Sequence, residues 1–235
     1  LLFALPLLGQ DSQIRLTSPL RSAGYVDMTR DVLRRFGVRS MRTENGFSVP
    51  GGQTYRLPAH ELAPEGDWSG AAVWLAVNAL GGRIALRGLK DDSLQSDRRM
   101  AQLACTLPGT VDIADIPDLL PLLCVLAAFQ PAATRFTHAG RLRYKESDRL
   151  NGCARLICDL GGLAQAEEDA LLVQPRPLTG GETDARGDHR MAMAAAAAAC
   201  ACPQGVLLRE AECVDKSYPA FWADYKRLGG QMHVL

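Results

Sequence analysis

Neither sign of charge predominates in this chain, where 26 Lys and Arg residues face 26 Asp and Glu over 235 residues. That balance excludes the basic footprint of a nucleic-acid binder or of a protein held electrostatically on a membrane. Any anion site must therefore be local. Long apolar runs are missing too. The opening LLFALPLL falls well short of the ~20 residues a membrane helix needs. It has neither the basic flank nor the small-residue cleavage site of a signal peptide. No initiator Met precedes it, and the chain is expected to be a fragment that starts inside a buried helix. The seven cysteines are odd in number, and Cys200-Ala-Cys202 lacks zinc spacing. No metal is expected. Reduced core thiols in a cytoplasmic protein are the reading that cysteine usage supports.

What is present is a repeated arrangement in a chain that is 47% hydrophobic. A small-residue helix over 67–82 leads to an alternating strand over 83–89 and an amphipathic helix over 93–104. The order recurs over 118–162 and again over 188–230, and the opening residues fit it as well. A hairpin turning at Asn45-Gly46 follows the first amphipathic helix. The spacing, roughly fifty to seventy residues, marks an internal repeat. Helices as small-sided as Ala192–Ala201 belong at the centre, and amphipathic ones carry a solvated face. The fold class is α/β, built of repeated βαβ-like units. One unit is short, with little room for a strand pair between Leu103 and Asp115. A boundary falls in LPAHELAPEGD (57–67), so that 1–64 form the remnant of one domain and 66–235 most of another.

Cations stand where the second or first helices begin. In RYKESDRL (143–150), a helix start would put Lys145 and Arg149 on one face, an unfavourable like-charge pair near the positive end of the dipole. His189 and Arg190 open another helix behind Asp188. Lys216 precedes a third, and Ser22 and Tyr25 a fourth. Free N–H groups at such ends attract phosphate or carboxylate, and an anion between the cations would reverse their repulsion. Taken singly, each feature has a plainer reading. Lys145 and Arg149 could form a solvated face, Asp118 and Asp67 could be N-caps, Arg190 a surface arginine and Ser22 an ordinary turn residue. Their recurrence at equivalent edges of the repeat favours one shared cleft.

These residues resemble the EPSP synthase (3-phosphoshikimate 1-carboxyvinyltransferase) family. RYKESDRL is similar to its Lys-Glu-Ser/Thr-Asp-Arg signature, and GDHRMAMAAAA, IPDLLPLL, SAGYVDMT, PGGQTY and EGDWS follow in the family's manner across nearly the whole chain. The resemblance implies the enolpyruvyl transferase fold, with two domains of three βαβαββ units. This chain would hold one near-complete domain and the last repeat unit of the other. It implies transfer of the enolpyruvyl group of phosphoenolpyruvate to shikimate 3-phosphate, without cofactor, by a cytoplasmic monomer. By the same resemblance, Asp118 and Glu146 are the catalytic pair. Ser22, Tyr25, Asp118 and Lys145 bind shikimate 3-phosphate, and Arg149, Arg190 and Lys216 bind phosphoenolpyruvate.

The family's Ser-Ser-Gln segment and its N-terminal lysine, serine and arginines do not occur in the sequence, and Arg141 stands where some members carry asparagine. Two other readings stay open. One is a non-catalytic fragment lacking half of the active site; the other is the sibling transferase acting on UDP-N-acetylglucosamine, against which KESDR and DHRMAMA argue.

Overall fold

The computed structural model describes residues 1–58 and 62–234, so residues 59–61 of the boundary segment lie outside the described residues. The chain forms two compact units: Leu1–Glu65 with Lys90–Ser96, and Gly66–Leu89 with Asp97–Leu235. The sequence boundary took no account of the excursion over 90–96.

In the first unit, strand β1 (Ser12–Arg15) leads to helix α1 (Ala23–Arg35) and then to the hairpin β2 (Met41–Thr43) and β3 (Gly46–Val49). The sheet order is β1-β3-β2, all antiparallel. The hairpin expected from the sequence forms, but its two-residue turn is Glu44-Asn45, one position earlier than expected, and Gly46 is the first residue of β3, paired with Thr43. Gly46 has φ 150°, and a Cβ there would lie 1.9 Å from the Ile14 carbonyl oxygen of β1, so only glycine lets β3 pair with β1 at this point. The leading apolar stretch is not a buried helix. It makes a 3-10 turn over Leu5–Leu7 and leaves Leu1, Phe3, Leu7 and Leu8 exposed.

The second unit contains α2 (Trp68–Ala79), the short α3 (Met100–Leu103), β4 (Thr110–Asp112), α4 (Leu120–Ala128), β5 (Thr134–Thr137), α5 (Arg149–Asp159), β6 (Ala164–Ala166), β7 (Ala170–Val173), β8 (Gly181–Asp184), α6 (His189–Ala199), β9 (Val206–Arg209) and α7 (Phe221–Arg227). Strand β4 runs parallel to β5, which pairs antiparallel with β7, and β6 closes the order β4-β5-β7-β6. The run from β4 to β7 is therefore one whole βαβαββ unit. Its later part, β5-α5-β6-β7, has the pairing of β1-α1-β2-β3 in the first unit. Its earlier part, β4-α4-β5, has that of β8-α6-β9, whose strands are also parallel. The repeat seen in the sequence is thus a repeat of sheet topology.

Helices α2, α4 and α6 pack on one another at the centre. All nine residues of α4 are buried, as are Ala192 to Ala198 of α6. Small side chains let the helix axes approach closely, while Leu120, Leu123 and Val125 of α4 fill the remaining space, each worth about 1.5–3 kcal/mol of burial.

Several expectations are corrected. Residues 83–89 form no strand among the described residues; Ile84 and Leu86 pack partly on the core, but no neighbouring strand supplies a ladder. The Asn78 amide takes that place at Ile84, donating to its carbonyl at 2.8 Å and accepting its N–H at 2.7 Å. The helix expected over 93–104 is a 3-10 turn, Ser96–Arg99, followed by α3, and the short 104–115 segment holds the single strand β4. Of the cysteines, Cys124, Cys153 and Cys202 are buried, but Cys105, Cys158 and Cys200 are exposed, so the thiols are only partly core. Among the described residues, no helix is long and apolar enough to cross a membrane, and no group of three His, Cys, Asp or Glu side chains could hold a metal.

Candidate active site

Three helix starts in the second unit meet. Asp118 lies in the 3-10 turn Pro117–Leu119 that leads into α4. Asp148 caps α5, accepting the Asn151 N–H, and Arg149 is the first helical residue. Asp188 caps α6, accepting the Arg190 N–H at 2.9 Å. Capping explains why aspartate stands at 148 and 188: its carboxylate satisfies an N–H that the helix leaves open and complements the dipole.

Arg149 joins the three starts. Its side chain is only 1% exposed. Nε donates to Asp188 Oδ2 at 2.9 Å, Nη2 to Asp188 Oδ1 at 3.2 Å and to Glu146 Oε2 at 2.8 Å, and Nη1 to Asp118 Oδ1 at 2.6 Å. A buried guanidinium requires such pairing, because an unmatched charge there would cost several kcal/mol, of order 3–5. Lys145 Nζ stands 3.5 Å from Asp118 Oδ1, Arg190 Nη2 stands 3.9 Å from Asp118 Oδ2, and Lys216 Nζ stands 3.5 Å from Glu146 Oε1. The Ser147 hydroxyl donates to Asp188 at 3.1 Å.

The repulsion posed by RYKESDRL resolves differently from expectation. Lys145 terminates the 3-10 turn Gly140–Tyr144, and the helix begins at Arg149, so the two cations do not share a helical face. They converge instead on Asp118. The anion between them in the free protein is one of its own carboxylates.

These contacts tune the titrating groups. Burial alone would raise the Asp118 carboxyl, but the charges of Arg190, Arg149 and Lys145 outweigh it and hold the group below the ordinary carboxylate value. Asp188 is lowered in the same way, its burial overcome by the Arg149 hydrogen bonds and charge. Glu146 is lowered as well: burial is opposed by a bond to its own backbone and by Arg149 and Lys216. Arg149 is raised despite burial, chiefly by Asp188. The His189 imidazole is lowered by burial and by the Arg190 charge. In this state both Asp118 and Glu146 are carboxylates at neutral pH.

Of the residues singled out from sequence, Asp118, Lys145, Glu146, Arg149, Arg190 and Lys216 come together in the second unit. Ser22 and Tyr25 belong to the first unit, where they stand at the start of α1; Ser22 has φ 53° and Tyr25 is exposed. Arg141 donates to the Ala114 carbonyl at 2.7 Å. The sequence marks Asp188 only as the residue before a helix and assigns it no part in the site, yet it proves to be fully buried at the centre of the network. Its position before a helix signals a cap, but nothing local signals the arginine it holds from 39 residues away. Asp97, buried beside the start of α2, was likewise unread.

An α/β chain of βαβαββ units with basic and acidic side chains gathered at helix starts has the architecture of an enolpyruvyl transferase. EPSP synthase from Acinetobacter baumannii superposes with a TM-score of 0.81 at 21% identity, over 97% of this chain and 59% of that one. The enolpyruvyl transferase NikO from Streptomyces tendae superposes with a TM-score of 0.72 at 17% identity, over 96% and 57%. The family described as EPSP synthase (3-phosphoshikimate 1-carboxyvinyltransferase) matches residues 1–106 and 103–225. The chain belongs to that family. The two matched stretches meet in the segment that the sequence shows to be short. Among curated relatives named 3-phosphoshikimate 1-carboxyvinyltransferase, that of Clostridium acetobutylicum is 38% identical over 252 residues and that of Clostridioides difficile 37% over 254, each across 99% of this chain. The chain spans 58% of the length of both.

Proposed function

We propose that this chain carries one side of the active site of a 3-phosphoshikimate 1-carboxyvinyltransferase. The complete enzyme joins phosphoenolpyruvate to the hydroxyl of shikimate 3-phosphate and releases phosphate, as a monomer in the cytoplasm and without a cofactor. Residues 1–64 are the remnant of its first domain and 66–235 most of its second. The observation that carries this reading is the meeting of Asp118, Lys145, Glu146, Arg149, Arg190 and Lys216, drawn from separate helix starts and turns at positions that match the family's motifs.

Two anionic substrates repel each other, so fixed cations are the first requirement of the site. Arg149, Arg190 and Lys216 hold phosphoenolpyruvate, with Arg149 and Lys216 exchanging Glu146 for donor oxygens. Lys145 holds shikimate 3-phosphate, together with Ser22 and Tyr25. Asp118, already ionised, takes the proton of the attacking hydroxyl. Glu146 takes up a proton as donor charge replaces its neighbours, and delivers it to the methylene carbon. The hydroxyl oxygen bonds to the adjacent carbon, giving a tetrahedral adduct stabilised by the same cations. Return of that proton to Glu146 breaks the carbon–oxygen bond to phosphate and restores the double bond.

The span of 58% favours a second element of the reading: the chain alone does not turn over. The test is phosphate release with both substrates, on the chain alone and on the chain supplied with the part of the C. acetobutylicum relative that it does not cover. Activity only in the supplemented sample is expected. Absence of activity in both, beside an active complete relative, would overturn the reading.

A further inference from the structure

We infer that Asp97 positions Arg190 through Ser69, an inference that rests on the reading of Arg190 as a ligand for phosphoenolpyruvate.

Asp97 is 3% exposed, in the 3-10 turn Ser96–Arg99. One oxygen, Oδ2, accepts a short 2.5 Å bond from the Ser69 hydroxyl. The other, Oδ1, is buried and has no partner among the described residues. A carboxylate so enclosed and half-satisfied carries a cost in free energy, and a side chain kept at such a place calls for a reason. Burial raises the Asp97 carboxyl, against the Ser69 bond and the Arg190 charge, which lower it.

Ser69 supplies the reason. It is the second residue of α2, its N–H is bound by the capping Asp67 at 2.9 Å, and its carbonyl oxygen lies 3.5 Å from Arg190 Nη1. The first turn of α2 is thus held at two points, by Asp67 on the backbone and by Asp97 on the side chain, and Arg190 rests against it. On its other side, Arg190 reaches towards Asp118 at 3.9 Å. Both contacts of the guanidinium are long, so its place depends on what fixes the groups around it. Without Asp97, the Ser69 hydroxyl loses its anchor, the first turn of α2 loosens, and Arg190 loses one wall of its seat. Arginine recognises a carboxylate or phosphate through a rigid fork, and a loosened fork binds less well without any change in charge.

The experiment uses the 235-residue chain. Nitrogen-15 NMR follows the guanidinium Nε–H signal of Arg190, assigned by its disappearance in Arg190→Lys. Asp97→Ala and Ser69→Ala are expected to shift that signal alike. Asp97→Asn keeps an oxygen for the Ser69 hydroxyl and is expected to return it most of the way. Phosphoenolpyruvate titrated into the same samples should bind about tenfold more weakly in the two alanine variants and nearly normally in Asp97→Asn. An Arg190 signal unmoved in both Asp97→Ala and Ser69→Ala would overturn the inference. Should Asp97→Ala not fold, Ser69→Ala decides alone. If the signal moves as expected but the unsubstituted chain binds no phosphoenolpyruvate, Asp97 still positions Arg190 and it is the donor-site reading that fails.

Discussion

Both carboxylate oxygens of Asp188 bind the Arg149 guanidinium, at 2.9 and 3.2 Å, and the two side chains are 0% and 1% exposed. Such a pair gains little over an apolar one of the same size, but removing Asp188 leaves the buried guanidinium to Asp118 and Glu146 alone and takes the cap from α6. Asp188→Ala is therefore expected to lower the stability of the second unit by about 3–5 kcal/mol. The urea midpoint checks it, and a change below about 1 kcal/mol, the scale of an exposed pair, would contradict the burial seen here.

Acid should unfold the protein in two stages. The His189 imidazole is lowered in the fold, so as pH falls through its ordinary value of about 6.5 the unfolded chain takes up a proton that the folded one refuses. Stability present above that value is then lost. Asp118 and Asp188 are lowered too. Their contribution is whole above an ordinary aspartate value of about 4 and disappears as pH falls through their lower folded values. Denaturation midpoints measured from pH 8 to pH 2 should show both stages, and His189→Gln should remove only the first.

In the supplemented enzyme, Glu146→Ala should lose about 10²–10⁴-fold in turnover, the range of a general acid–base group. Binding of shikimate 3-phosphate should survive. Turnover near that of the unsubstituted enzyme would end the proton-transfer role.

Lys216→Ala should act on the donor alone, raising the KM for phosphoenolpyruvate about tenfold, the worth of one charge-assisted bond. The KM for shikimate 3-phosphate is the control. Because Lys216 is more exposed than its partner Glu146, 59% against 31%, folding stability should hardly change.

Ala194→Leu tests the central helices. Ala194 is fully buried in α6, which packs on α2 and α4, and the added atoms have no space to enter. A loss of about 1–3 kcal/mol is expected from overpacking, again read from the urea midpoint.

Much of this was legible in the residues. The repeat, the central place of α6 and the existence of a hairpin beside Gly46 follow from patterns confined to neighbouring positions. The second partners were not legible. RYKESDRL shows that Lys145 and Arg149 are near each other, but not that Asp118, 31 residues before Arg149, lies between them. A helical reading of that segment missed the break at Lys145, because charged residues suit a turn and a helix start equally. The strand expected over 83–89 failed for a related reason: alternation records which side chains face a core, whereas a strand exists only if another one lies beside it.

At Ile84 a single primary amide does the hydrogen bonding that a whole neighbouring segment does elsewhere. Asn78 gives and receives one bond each, so it satisfies one residue and leaves the rest of 83–87 without backbone partners among the described residues. In heavy water, Ile84 should keep its proton long after Ala85 and Leu86 have exchanged theirs, an isolated slow amide within a fast stretch.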